Sequence, residues 1–267
     1  MRTGNPTWLR IKAVAVRHAY ILRRSPHRLY DITIWPLVDV LLFGSLGAFV
    51  ARSEGSGETA FAYLLSGIIL WHVIYQSQIA ASTALLEETW SRNILNLMVT
   101  PTREREYAAG VALFGMLKIT IGVTIVAITA FGFFAFNVTT LGWEIIPVMA
   151  VLLAIGWSIA LFVVGLVFRF GSGAEALAWG IMFAVMPMSG VFYPPDALPG
   201  FLQPVAHALP PTHAFIAARS LLDGGAMDWG ALAIAAVGTF LLGVVAMAFL
   251  TKMLGIFRSR GYITRYS

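Results

Sequence analysis

Cysteine is absent from the 267-residue sequence, which excludes a disulfide framework, a thiolate nucleophile and a cysteine–metal centre. Charge is scarce as well. Asp, Glu, Lys and Arg together make up 12% of the chain, whereas an ordinary soluble domain carries about 25%. So few charges cannot cover the surface of a water-soluble globule of this length, and they exclude disorder and a coiled coil too. The apparatus for nucleotide hydrolysis is missing: no G-x-x-x-x-G-K-[ST] loop occurs, and the Gly-Ser-Gly runs near Gly55 and Gly171 lack the lysine that would follow. No H-E-x-x-H pattern is present. The chain is therefore not read as an enzyme, and no catalytic residue, metal site or bound cofactor is expected in it.

What is present is apolar. Hydrophobic residues make up 58% of the chain, and the mean hydropathy is +0.79. A bilayer core of about 30 Å takes roughly 20 helical residues. Six stretches approach that length: Ile32 to Ala51, Phe61 to Leu86, Tyr107 to Phe136, Ile145 to Phe168, Ala176 to Tyr193 and Trp229 to Thr251. The expected architecture is an all-α polytopic membrane protein, one transmembrane domain over residues 1–267. Residues 1–30 form an interfacial helix and tail, 31–251 a six-span bundle, and 252–267 a cytoplasmic tail. The first thirty residues are too charged to span: seven basic residues alternate with Trp8, Leu9, Ile11, Val14, Tyr20 and Leu22. That pattern is an amphipathic helix lying in the membrane interface rather than a cleaved signal peptide.

The net charge of +5 invites comparison with nucleic-acid binders, but its location decides against that. With both termini in the cytoplasm, 15 of the 18 Lys and Arg fall on the cytoplasmic side, and only Arg52 and Arg219 fall outside. The charge is thus a topology signal under the positive-inside rule and a contact for lipid headgroups.

Three segments suggest work. After the second span, LLEETWSRNILNLMVTPTRERE reads as a short cytoplasmic amphipathic helix. Glu87 and Glu88 open it, Ile94, Leu95, Leu97 and Met98 form its apolar patch, and Pro101 ends it. Near the outer face, seven of the twelve prolines fall between Pro187 and Pro211, too many for one straight helix. We expect a kinked fifth span followed by half-helices that dip into the outer leaflet or cap the bundle. Asp196, His207 and His213 lie there, as polar members of that segment rather than zinc ligands. Third, Asp39, His72 and Lys118 sit deep in the first three spans at similar depth. Such residues normally face the bundle interior and pair, so an Asp39–Lys118 ion pair with His72 beside it is expected. Gly180, Ala184, Gly238 and Gly243 offer small surfaces for helix packing. Trp35, Trp143 and Trp229 are expected to anchor the interface.

The stretches Glu87 to Pro101, Ser189 to Pro199 and Leu209 to Arg219, in this order along six spans, resemble the permease subunit of bacterial ABC-2 type exporters. The resemblance covers nearly the whole chain. It implies an interfacial helix, six spans and a coupling helix that docks on a cytoplasmic ATPase. It also implies two paired permease copies, more readily identical than different, and two separate ATPase subunits that bind ATP and Mg. The coupling role would fall on Glu88, Trp90, Arg92, Ile94, Leu95 and Met98. The outer gate would fall on Tyr193, Pro194, Pro195, Pro199 and His213. The setting implied is a bacterial inner (plasma) membrane, and the cargo is amphipathic, lipid-linked or a glycan. Phe43, Trp71, Tyr75, Phe114 and Phe192 are the aromatic residues expected along the path. Two alternatives stand beside this reading: an ion-coupled secondary transporter, for which no inverted repeat is evident, and a membrane assembly protein that transports nothing.

Overall fold

The computed structural model describes residues 6–54, 57–90, 100–137, 142–171, 175–222 and 225–259, and among these residues no strand occurs. The chain begins with α1 (Pro6–Arg24). Ser25 breaks the helix, and Pro26 opens α2 (Pro26–Glu54). Proline suits that first position, because an N–H there would have no partner in the helix. Residues 26–30, assigned by their charge to the interfacial segment, are therefore the first turns of α2.

The central element is α3 (Gly57–Trp90). From Leu65 to Ala80 every residue is buried, as expected of a helix apolar on all sides and surrounded by others. It packs against α2, against α4 (Glu104–Phe134) and against α5 (Ile145–Phe170). Between lipid-like surfaces association rests on close packing rather than on water release. The tightest crossing shows this: a Cβ at Gly156 of α5 would collide with the Ser77 hydroxyl and the Ile74 carbonyl of α3.

At its C-terminal end α4 stops where Ala135 turns left-handed (φ 54°), its N–H returning to the Phe131 carbonyl. At its N-terminal end α4 carries α1. Val14 packs with Ala84, Tyr107 and Val111, and Arg10 pairs with Glu106 at 3.3 Å. The long C-terminal helix α9 (Trp229–Ser259) lies along α5. Much of α2 and α9 remains exposed and apolar, including Leu42, Phe49, Phe240 and Val244, a surface suited to lipid.

Among the described residues, five helices are long and apolar enough to cross a bilayer: Pro26–Arg52, Phe61–Ala84, Arg105–Phe134, Ile145–Phe170 and Trp229–Ile256. The stretch expected as a span from Ala176 to Tyr193 is shorter. It forms α6 (Glu175–Met188) of 14 residues, ~21 Å at 1.5 Å per residue. Pro187 lies in its last turn, and Gly190 at φ +74° turns the chain away. The expected broken outer segment follows: a 3₁₀ turn (Pro195–Ala197), α7 (Gln203–Ala208) and α8 (Pro210–Leu222).

Candidate functional site

A cavity of about 220 Å³ lies between α2, α3 and α6. On α2 it is lined by Trp35, Asp39, Leu42 and Phe43, which the spacing i, i+4, i+7, i+8 places on one helix face. On α3 it is lined by Trp71 and Tyr75, one turn apart, and on α6 by Met182, Phe183 and Met186. Asp39 is at the midpoint of its span, and His72 is at the middle of the next. Both residues thus lie near the middle of their helices, away from the helix ends.

The intramembrane polar group differs from expectation in its pairing. Asp39 Oδ2 faces His72 Nε2 at 3.4 Å, within reach of a charge interaction but without hydrogen-bond geometry. The His72 side chain is 1% exposed and that of Asp39 23%, so the carboxylate is the member that meets the cavity. Lys118 does not line this cavity. It is buried on α4, between Gly115, which faces Ala80, and Gly122, which faces Gln76. Lys118 thus sits beside the α3 stretch from Gln76 to Ala80, toward the C-terminal end of α3 from His72. Asp39 and His72 are thus the members of the expected group that meet at the cavity.

Of the aromatic residues expected along a path, Phe43, Trp71 and Tyr75 line this cavity. Phe192 stacks on Phe43 with ring centroids 4.5 Å apart. Phe114 lies elsewhere, packed on α1 against His18, Ala15 and Leu22. Trp35, Trp143 and Trp229, expected as interface anchors, are all exposed, and Trp35 also forms a wall of the cavity. Sequence reasoning also passed over the buried amides of Gln76 and Gln78. Their signal was present in the polar run Gln76-Ser-Gln78 inside an otherwise apolar span.

The outer segment is organised around Arg219 of α8. Its guanidinium donates to the carbonyls of Gly190 (2.6 Å), Val191 (2.9 Å) and Tyr63 (3.2 Å) and stacks over the Tyr63 ring. The Val191 carbonyl in turn rests against Gly67 of α3, where a Cβ would collide with it. Thr212 donates to the Ala206 carbonyl at 2.6 Å, and Phe215 is fully buried. Among the residues expected at an outer gate, Pro195 is buried, Tyr193 and His213 are half-buried, and Pro194 and Pro199 are exposed. His213 donates from Nε2 to the His207 carbonyl at 2.8 Å, and His207 Nε2 meets Asp196 Oδ1 at 3.1 Å on the surface. A second cavity of about 430 Å³ opens here, lined in part by Tyr63, Asp196, Arg219 and Asp228.

At the inner end, Glu88 and Trp90 lie in the last turn of α3, where a separate short helix was expected to begin. Arg92, Ile94, Leu95 and Met98, the rest of the expected coupling helix, lie outside the described residues. An open groove of about 1030 Å³ between α5 and α9 is lined by small and apolar residues, with Lys252 at its inner end, and has the character of a lipid-facing surface. Within it Gly243 approaches the Ser158 hydroxyl, and nearby Gly238 packs on Pro210. A Cβ at Gly180 would meet nothing within 4 Å among the described residues.

Comparison with known proteins follows the same outline. The family model described as "ABC-2 type transporter" matches residues 11–222. A daunorubicin resistance ABC transporter permease protein, DrrB1 of Streptomyces coeruleorubidus, is 26% identical over 230 residues, 84% of this chain and 78% of that protein. The inner membrane transport permease YadH of Escherichia coli K12 is 23% identical over 206 residues, 76% of this chain and 78% of its own length.

Proposed function

The chain belongs to the ABC-2 type transporter family, as a non-catalytic membrane component that works with a separate ATPase; from that premise we propose that it exports an amphipathic or lipid-linked cargo through the space beside Asp39. The supporting observation is the aromatic cavity at mid-span. Trp35, Leu42 and Phe183 among its lining residues are largely exposed, so it opens sideways, toward lipid or a second copy of the chain, rather than along a water-filled axis. Cargo with an apolar body can enter such a mouth from the bilayer. The name of one relative, for daunorubicin resistance, supports a small cargo of this kind over a glycan polymer.

In this reading α6 is a sixth, short crossing, both termini face the cytoplasm, and two copies pair. The segment from Glu88 to Met98 docks on the ATPase, so that ATP and Mg act in the partner. Tyr193, Pro194, Pro195, Pro199 and His213 belong to an outer gate held shut by the contacts of Arg219. The test begins with co-purification of the chain and an ABC ATPase encoded beside it. Arg92→Glu and Leu95→Asp are expected to abolish that complex while leaving the permease folded in the membrane. ATP-dependent uptake of amphipathic dyes into inverted vesicles holding the pair then tests export. Unchanged assembly in both variants removes the docking assignment, and ATP-independent uptake removes the exporter reading.

A further inference from the structure

We propose that the cavity between α2, α3 and α6 binds an organic ammonium group, a cation carried on an apolar body. The proposal deepens the exporter reading by naming the cargo chemistry, and its biological role rests on that reading, but the binding is a property of this chain alone.

The lining combines two features that favour a cation. Among the described residues that line the cavity, Asp39 is the one charged side chain, and its carboxylate meets the space while the buried His72 ring lies beside it. The remaining wall is dominated by rings, the indoles of Trp35 and Trp71 and the rings of Phe43 and Tyr75 among them. The face of an aromatic ring is negative and attracts a cation, indole most of all. A carboxylate at mid-span, far from water, raises the attraction further. The same surroundings select among cations. A compact, strongly hydrated ion would have to give up water that this wall cannot replace. An alkylammonium spreads its charge over methyl or methylene groups, which rings and thioethers can surround. Met182 and Met186 supply such adaptable contacts.

Other ligand classes fit less well. An anion would meet Asp39 with no lining Lys or Arg to offset it, since Lys118 lies outside the wall. A sugar requires many hydrogen-bonding partners, and this wall offers the Asp39 carboxylate, the Tyr75 hydroxyl and two indole N–H groups. The volume of about 220 Å³ suits one cationic head with its first apolar group. Free amphipathic amines and the ammonium headgroups of lipids share this chemistry.

The test uses the full chain in phosphatidylglycerol nanodiscs, labelled with 5-fluorotryptophan. The fluorine resonances of Trp35 and Trp71 are assigned with Trp35→Phe and Trp71→Phe. Benzyltrimethylammonium is titrated against its neutral isostere neopentylbenzene, with affinities referred to concentration in the bilayer. The expected result is saturable displacement of both resonances by the ammonium, with a Kd at least about tenfold below that of the neutral compound. Asp39→Asn should remove the preference without weakening the neutral compound, and Asp39→Glu should keep it. Equal affinity of the two compounds in the unsubstituted chain overturns the proposal, and that comparison needs no variant to fold. Displacement confined to other tryptophans overturns it as well. Adding phosphatidylethanolamine to the disc separates the two sources, and both results uphold an ammonium site: competition assigns it to headgroups, and unchanged binding assigns it to free amines. Ammonium binding without ATP-dependent transport would remove the exporter reading and leave this site standing; transport without ammonium preference would do the reverse.

Discussion

The guanidinium of Arg219 donates to the carbonyl of Gly190 across 2.6 Å and so joins the last helix of the outer segment to the turn that begins it. The same group reaches Val191 and, on α3, Tyr63. Three backbone carbonyls from two distant stretches thus depend on one side chain. Replacing it leaves acceptors in a half-buried site without their donor, and a bond to a charged group contributes about 1.5–3 kcal/mol. Arg219→Met is expected to cost about 2–4 kcal/mol, which lowers Tm by about 4–10 °C for a chain of this size. Arg219→Lys should recover less than half of the loss, because an ammonium cannot reproduce the planar fork. Thermal unfolding in detergent, followed by tryptophan fluorescence, checks both; an unchanged Tm for Arg219→Met would remove the clasp from this account.

Gly67 and Gly115 make a matched pair for testing close packing. A Cβ at Gly67 meets the backbone oxygen of Val191, which cannot swing aside as a side chain can. Gly67→Ala should therefore push the Gly190–Val191 turn away from α3 and destabilise by about 1–3 kcal/mol. A Cβ at Gly115 finds the Ala80 methyl at 3.7 Å, an ordinary contact. Gly115→Ala should be neutral, or stabilising by up to about 1 kcal/mol through the helix preference of alanine. Tm values measured side by side decide the matter. Equal effects of the two substitutions would show that the contact at Gly67 does not limit packing.

How much of this was legible in the sequence follows from which force set each feature. Span positions were legible because length and apolarity alone set them: the start of α5 at Ile145 and of α9 at Trp229 coincide with the hydropathy boundaries. The end of α4 was placed two residues late, at Phe136, because Ala135 adopts a left-handed cap that no glycine announces. The shortness of α6 was hidden, since Val191, Phe192 and Tyr193 prolong the apolar run. They form a buried turn because Gly67 gives them room and Arg219 supplies the donors. Pairing at mid-depth was the least legible. Depth follows from counting, but that Asp39 meets His72 depends on how the helices rotate about their axes. The one-face spacing of Trp35, Asp39 and Phe43 was present in the sequence; that α6 would close the same cavity was not.

Glu106 performs two tasks at the inner end of α4. Its Oε2 accepts the backbone N–H of Arg103 at 2.9 Å, the return half of a capping box. Both of its carboxylate oxygens lie 3.3 Å from the Arg10 guanidinium of α1. Glu106→Ala removes the cap and the clasp on α1 together and is expected to cost about 1–2 kcal/mol. Arg10→Ala removes only the pair, whose arginine is a third exposed, and should cost under about 1 kcal/mol. Combining them should add little beyond Glu106→Ala alone. A double-mutant cycle on thermal stability checks the coupling, and strict additivity would mean that the two residues contribute independently.

The number of crossings can be measured directly because the sequence contains no cysteine, so each introduced thiol reports alone. Among the described residues five helices are long enough to span, and α6, at 14 residues, is shorter than a full span. If α6 together with the turn at Gly190 crosses, the chain passes through the membrane six times, and Thr102 and Ser259 share a side. If α6 only enters and returns, Ser259 lies opposite Thr102. We expect the first outcome, because Arg103 and Arg105 near one site and Lys252 and Arg258 near the other both belong on the cytoplasmic side under the positive-inside rule. Ser53→Cys, between the first two spans, serves as the outer reference. A membrane-impermeant maleimide should label Ser53→Cys in intact cells, and should label Thr102→Cys and Ser259→Cys only after the membrane is opened. Labelling of Ser259→Cys in intact cells would reduce the bundle to five crossings and place the C-terminal helix end outside.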